Sequence, residues 1–237
     1  MNRVFVTGDT HGSQNYDLRK LNSKKFPEGN ELTKDDYVII AGDFGFIWDV
    51  NYSRDEELYW LDWLNKKPWT TLFVDGNHEN FDRLDNLTIT DKFGGNVGVV
   101  TDNIYHLKRG EYYNINGLDI LTFGGGTSID KIHRREFISW WSQEDPDFSE
   151  YDNCNSNLED HDWKADVIIT HDCSTRIYDL LDIEKYSESS FLQKFLDVLE
   201  DKVNFKHWFF GHYHQDYKVD GKHTLLYNSV KEITKEK

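Results

Sequence analysis

Seven oxygen or imidazole donors stand in five short blocks of this chain: Asp9 and His11 in GDTHG, Asp43 in GDFG, Asn77 in GNHE, His171 in ITHD, and His212 with His214 in GHYH. Imidazole nitrogens mixed with carboxylate oxygens suit divalent ions such as Mn, Fe or Zn, whereas Mg and Ca prefer all-oxygen shells. Two such ions about 3.5 to 4 Å apart need a shared ligand, and the lone carboxylate of Asp43 is the natural bridge. Taken singly, a strand-end Asp-Gly is more often a turn than a ligand, and a loop histidine is usually solvated. Recurrence of matching residue types at five places is what points to a metal site. His106, His133, His161, His207 and His223 stand outside the blocks and read as structural.

Each block directly follows an apolar run. Val4-Phe5-Val6, Val38-Ile39-Ile40-Ala41, Leu72-Phe73-Val74, Val167-Ile168-Ile169 and Trp208-Phe209-Phe210 read as short buried strands closed by turn residues. Loops leaving the carboxyl ends of strands in an open α/β sheet converge on one crevice, so the five blocks are expected to build one polynuclear site. Between the first two strands, residues 13–25 could form a short helix punctuated at 27–30, and residues 54–67 a helix behind a Ser53 cap, stopped by Pro68. Residues 81–87 suit another short helix. Ile104 to Leu107, Tyr112 to Ile115 and Leu118 to Phe123 suggest an antiparallel meander in a second sheet, with an Asn116-Gly117 turn. Residues 124–163 form an irregular insertion or lid, compatible with partial helicity. Residues 187–202 read as an amphipathic helix, with Phe191, Leu192, Phe195, Leu196 and Leu199 on one side, and Thr224 to Tyr227 as the last strand.

At 237 residues, with 38% hydrophobic and 15% aromatic side chains, the chain suits one larger α/β domain carrying insertions and has ample material for a core. A formal charge of -16 argues against an extended electrostatic footprint for duplex nucleic acid. It does not exclude a small phosphorylated ligand, because bound cations can dominate the local field. Cys154 and Cys173 have no metal-binding spacing and are expected to be reduced thiols. The first residues run straight into a strand and a donor block, and no apolar run approaches membrane-spanning length, so the expectation is a cytoplasmic protein without a membrane partner. Oligomeric state is not legible.

GDTHG, GDFG, GNHE, the isolated TH and GHYH, in that order over residues 9 to 214, resemble the signature blocks of calcineurin-like metallophosphoesterases. The resemblance implies an α/β protein, a four-layer α/β/β/α sandwich of two mixed β-sheets with a binuclear centre at their edge. It implies that Asp9, His11, Asp43 and His214 hold one ion and Asp43, Asn77, His171 and His212 the other, with Mn favoured over Fe or Zn. It implies that His78 binds no metal but faces the substrate, stabilising charge or protonating the leaving oxygen. Asp9, or Asp172 beside His171, could also orient a neighbouring ligand. The expected activity is hydrolysis of a small phosphomonoester or phosphodiester by a metal-bridging hydroxide. The alternatives are a nuclease or nucleotide phosphodiesterase, with single-stranded ends stacking on Trp140 or Trp141, and a non-enzymatic metal-binding scaffold. Protein serine/threonine phosphatases of this superfamily carry Asp-Arg-Gly where this chain has Phe44-Gly45-Phe46-Ile47-Trp48-Asp49, so their phosphate-gripping arginine is missing. That continuation and Trp140-Trp141-Ser142-Gln143-Glu144 resemble a small bacterial and phage-borne branch. Arg83, Arg109, Arg134 and Arg135 are the candidate phosphate clamps, with Arg134 preferred because Gly124-Gly125-Gly126 should bring it near the crevice, and Arg83 second.

Overall fold

A computed structural model describes residues 2–12, 17–50, 55–183 and 189–235. The five apolar runs are strands β1 (Val4–Thr7), β2 (Tyr37–Ala41), β3 (Thr70–Val74), β9 (Lys164–Thr170) and β10 (Asn204–Phe210). Strands buried on both faces need continuous apolar sequence rather than alternation, and their Val, Ile and Phe content supplies it. β1, β2, β3 and β6 (Ile104–Leu107) pair in parallel in one sheet. Antiparallel β5 (Gly95–Thr101) and β4 (Thr88–Lys92) extend it at one edge, and β13 (Val230–Ile233) at the other. The second sheet orders β11 (Tyr217–Lys218), β12 (His223–Leu225), β10, β9, β8 (Leu118–Phe123) and β7 (Tyr112–Ile115), with β7 and β11 antiparallel.

Alternate residues of each strand serve different layers. Val4, Val6, Ile39 and Leu72 of the first sheet meet Ile120, Val167 and Ile169 of the second in an inter-sheet core. Phe5, Val38, Ile40 and Phe73 face the other way, onto Leu61 and Leu64 of helix α1 (Asp55–Asn65) and onto Leu18 and Leu21 of a 3-10 turn (Asp17–Leu21). Leu121, Phe123 and Ile168 cover the outer face of the second sheet. There they meet α3 (Phe148–Asp160), α4 (Thr175–Leu180) and α5 (Phe191–Lys202) through Cys154, Leu158, Ile177, Leu192, Leu196 and Leu199. The result is the expected helix, sheet, sheet, helix order, with mixed sheets in both inner layers.

Three expectations change. Ile104 to Leu107 pairs with β3 and β5 in the first sheet, so only β7 and β8 form the hairpin expected around Asn116-Gly117, where both residues have positive φ. The last strand is β13, not 224–227, because β1 has a free edge that the chain returns to cover. Phe191 is 62% exposed, so the buried stripe of α5 is narrower than its sequence suggests. The β4–β5 hairpin and α4 had no matching expectation. Residues 124–163 are partly helical, with 3-10 turns at Lys131–His133 and Ser142–Glu144 ahead of α3, whose Asp147 and Glu150 form a capping box. α2 (Phe81–Leu84) and α1 occupy their expected places, but the proposed Ser53 cap lies outside the described residues.

Candidate metal centre

The carboxyl ends of β1, β2, β3, β9 and β10 carry all seven donors to one edge of the two sheets. Close approach explains the glycine that precedes several of them. A Cβ on Gly42 would lie 2.0 Å from His171 Nδ1, and one on Gly211 would lie 2.1 Å from Asp9 Oδ1. His11, Asp43, His212 and His214 have positive φ, a backbone region costly for residues with a side chain and typical of functional sites.

Asp43 stands between two groups of donors. Its Oδ2 lies 3.2 Å from His11 Nε2, and its Oδ1 lies 3.3 Å from His171 Nε2. On the first side, His214 Nε2 is 3.2 Å from His11 Nε2 and 3.3 Å from Asp9 Oδ2. On the second, His171 Nε2 is 3.2 Å from both Asn77 Oδ1 and His212 Nδ1. Asp9, His11, Asp43 and His214 thus form one group able to hold an ion, and Asp43, His171 and His212 another.

The donors fit cations. His171 Nδ1 lies 3.0 Å from Ala41 O and His11 Nδ1 2.9 Å from Asp17 Oδ2, and donating to those oxygens leaves Nε2 as a lone pair on each ring. Lone pairs of Asp43, Asn77 and the imidazoles therefore converge with no obligatory donor among them, and buried Asp9 Oδ2 has no well-formed hydrogen bond from a described residue, His214 Nε2 lying 3.3 Å away. Without metal, protons must balance this charge. Burial opposes a charged His11, but the hydrogen bond and charge of Asp43, with Asp9 and Asp17 behind, push it up to about 9. Burial likewise opposes a charged His171, yet Asp43 and Asp9 push it up to about 10. A divalent ion replaces those protons.

His78 is placed differently. Its backbone N–H donates to Asp43 Oδ1 at 2.8 Å, while its ring stacks on Trp48 with centroids 6.0 Å apart and receives a hydrogen bond from Arg134 Nη2 at 3.1 Å. Burial lowers it to about 4, with Arg134, His11 and His171 adding to the effect against Asp43, so the ring is neutral near pH 7. Trp48 thus occupies, in the continuation that lacks Asp-Arg-Gly, the flank of the imidazole.

A cavity of about 640 Å³ opens over this arrangement. Asp43, Asn77, His78, Ser128, Asp130, His212, His214 and Arg134 line its metal side, and Ile129, Tyr178, Asp182, Ile183, Tyr213 and Gln215 line the remainder. Arg134 is brought to it, steered by a 2.8 Å contact from Nε to Asp130. Arg83 is not among the lining residues, since Glu57 holds its guanidinium at 2.6 Å and Asp49 O accepts from Nη1. Arg109 is buried against Asp75 and Glu150, Arg135 does not line the cavity, and Trp141 is core, donating its indole N–H to Asp82. Asp172 touches no candidate ligand side chain directly. It accepts from Cys173 N, Gln193 Nε2 and Tyr213 Oη, so it secures the tyrosine between His212 and His214. Both cysteines are free and buried.

Several supporting residues were not singled out from the sequence, although Glu79 stood inside a recognised block. Asp17 orients His11. Glu79 accepts from Phe44 N at 2.6 Å and Gly45 N at 3.2 Å, pinning the loop after Asp43. Lys20, 2% exposed, donates to the carbonyls of Gly8, Asp9 and Tyr227, and the ring of Tyr227 stacks on half-exposed His214 at 4.9 Å. Only the GNHE block advertised Glu79.

Two layers of mixed sheet bearing this donor cluster at their edge define the class. A calcineurin-like phosphoesterase model matches residues 2–216, and the chain belongs to that family of metallophosphoesterases. Membership and cluster together mark a site for divalent metal. The lariat debranching enzyme of Entamoeba histolytica is 24% identical over 246 residues, covering 92% of this chain and 65% of that protein. That of Schizosaccharomyces pombe is 33% identical over 106 residues, 40% of this chain and 21% of that one. The chain therefore spans less than two thirds of either relative's length. Among solved structures, a 5'-nucleotidase-like protein of Staphylococcus aureus in complex with alpha-ketoglutarate gives a TM-score of 0.47 at 16% identity, covering 94% of this chain and 48% of that one. Phosphopantetheinyl hydrolase from Mycobacterium tuberculosis gives 0.46 at 16%, covering 94% and 88%. No described helix is long and apolar enough to cross a membrane.

Proposed function

We propose that the protein is a binuclear metal-dependent phosphoesterase, acting on a small phosphomonoester or phosphodiester. The observation that carries this reading is Asp43, whose two oxygens face two separate donor groups at 3.2 and 3.3 Å. Asp9, His11, Asp43 and His214 would hold one ion, and Asp43, Asn77, His171 and His212 the other, with Mn favoured over Fe or Zn. Bound ions would supply a water acidified towards neutrality and charge neutralisation of the phosphoryl oxygens.

The chain's own residues do the rest. Asp17 and Ala41 O fix the tautomers of His11 and His171, and Trp48 holds the His78 ring against the cavity wall. Arg134 and His78 both line the cavity, so the guanidinium grips a phosphoryl oxygen while the neutral imidazole, whose Nε2 accepts from Arg134, has its Nδ1–H to donate to the leaving oxygen. The cavity far exceeds one phosphoryl group, leaving room beside Tyr178 and Tyr213 for the alcohol portion.

A second reading, cleavage of a nucleic-acid diester, draws on the two relatives named lariat debranching enzymes and on those tyrosines, on which a base could stack. The charge of -16 favours a short or single-stranded substrate over a duplex. Elemental analysis coupled to Mn-dependent hydrolysis of p-nitrophenyl phosphate, bis-p-nitrophenyl phosphate, single-stranded RNA and DNA tests both readings. Turnover of the small esters supports the first, and nucleic-acid cleavage alone replaces it with the second. No turnover with any divalent transition metal refutes both.

A further inference from the structure

Asn77 presents an oxygen and an NH2 of nearly equal shape, and only the oxygen can bind a cation. Something in the fold must decide which one faces His171. The amide nitrogen donates to Ser128 Oγ at 3.1 Å, and Ser128 Oγ donates to Glu144 Oε2 at 2.6 Å. Ser128 N also donates to Glu144 Oε1 at 2.8 Å, so the serine is held at two points. A hydroxyl has one proton. With that proton committed to Glu144, Ser128 can offer Asn77 only a lone pair and therefore takes the amide N–H. A reversed amide would set its oxygen against that lone pair and its NH2 towards the metal donors.

The clamp is buried: Ser128 is 3% exposed, Glu144 0% and Asn77 6%. It is also anchored, since Gly126 N donates to Glu144 O at 3.1 Å and Gly126 lies so close to the site that a Cβ there would be 3.0 Å from His171 Cδ2. We propose that Ser128 and Glu144 are positioning residues that set the amide of Asn77 with its oxygen towards the second ion. The inference rests on the reading of Asn77 as a ligand, and it gives the segment after β8 a task in building the metal site.

Calorimetric titration of metal-stripped protein with Mn(II), on the wild type and on Asn77→Ala, Ser128→Ala, Glu144→Gln and Ser128→Thr, tests it without reference to substrate. Asn77→Ala is expected to weaken one of two binding steps. Ser128→Ala and Glu144→Gln are expected to weaken the same step by about tenfold to a hundredfold, the usual cost of losing a group that orients a ligand, and to leave the other step unchanged. Ser128→Thr, which keeps the hydroxyl, is expected to restore it. Ser128→Ala added to Asn77→Ala is expected to have no further effect, because no amide is left to orient. The inference is overturned if Asn77→Ala weakens one step while Ser128→Ala and Glu144→Gln leave both unchanged. It is equally overturned if either variant lowers both steps together with the urea midpoint of the metal-free protein, the mark of a purely structural role. If Asn77→Ala itself changes neither step, the ligand reading fails first and the inference falls with it.

Discussion

Arg109→Met separates a buried structural cation from a phosphate clamp, the two roles its sequence position allowed. The guanidinium gives Nε to Asp75 Oδ2 at 2.7 Å, Nη1 to Glu150 at 3.0 Å and Nη2 to Gln143 O at 2.9 Å. Asp75 is 1% exposed, and among the described residues its other side-chain partner is His106 Nε2 at 2.9 Å. Burial by itself would raise the Asp75 carboxyl, but the charge of Arg109, with His106, holds it well below the usual carboxylate range. Methionine keeps the apolar stem and most of the volume, so the cavity contribution is small. What remains is a buried carboxylate that has lost its cation, together with a carbonyl that has lost its donor. Breaking one partner of a buried pair costs about 3–5 kcal/mol. At roughly 2–4 °C per kcal/mol for a chain of this size, that corresponds to a fall in Tm of about 6–20 °C. Urea unfolding at constant m-value gives the free energy directly, and Asp75→Asn in the same background is expected to recover part of it by removing the stranded charge. A cost below about 1 kcal/mol, the range of exposed pairs, would refute the reasoning.

Asp43→Ala is expected to lose bound metal and phosphate release together, measured by elemental analysis and turnover on the same preparation. His78→Ala is expected to keep the metal complement while kcat falls by about 10² to 10⁴, the contribution of a positioned acid, base or donor; unchanged turnover would remove it from the reacting group. Arg134→Ala is expected to lower kcat/KM roughly 10- to 150-fold without changing metal content, as expected for the loss of about 1.5–3 kcal/mol of charged hydrogen bonding to phosphate. Mn(II) at about a hundred times its Kd is expected to stabilise the metal-stripped protein by about 2.7 kcal/mol for each independent site, or roughly 5–11 °C in Tm, and chelation to reverse it. A Tm indifferent to Mn(II) would contradict the fit of the donor cluster to a cation.

The strands that carry the donors were legible because burial on both faces leaves an unambiguous apolar run, and a donor right after such a run must emerge at the sheet edge. Pairing was less legible. Ile104 to Leu107 is followed by turn residues and another short strand, which reads as local hairpin sequence, yet it lies parallel to β3 because the first sheet offered an edge. β4 escaped notice for another reason: from Thr88 to Asp91 it is exposed, so no apolar periodicity marks it. Among the arginines, sequence proximity to GNHE favoured Arg83, whereas the acid that claims it is Glu57 on α1, 26 residues away.

The residues that orient the site form the least legible class, and the reason is physical. A ligand is constrained by its own chemistry, so its type recurs in a recognisable block. A supporting group need only present one acceptor or donor at one point, and any part of the chain that reaches that point can provide it. Asp17 comes to His11 from a 3-10 turn six residues on, the carbonyl of Ala41 comes to His171 from another sheet, and Ser128 with Glu144 comes to Asn77 from the irregular connection after β8. That connection has no period because its polar side chains answer to the geometry of β3 and β9 rather than to an axis of its own. Irregular sequence between well-formed strands is therefore where the tautomers and amide orientations of the donor cluster are settled.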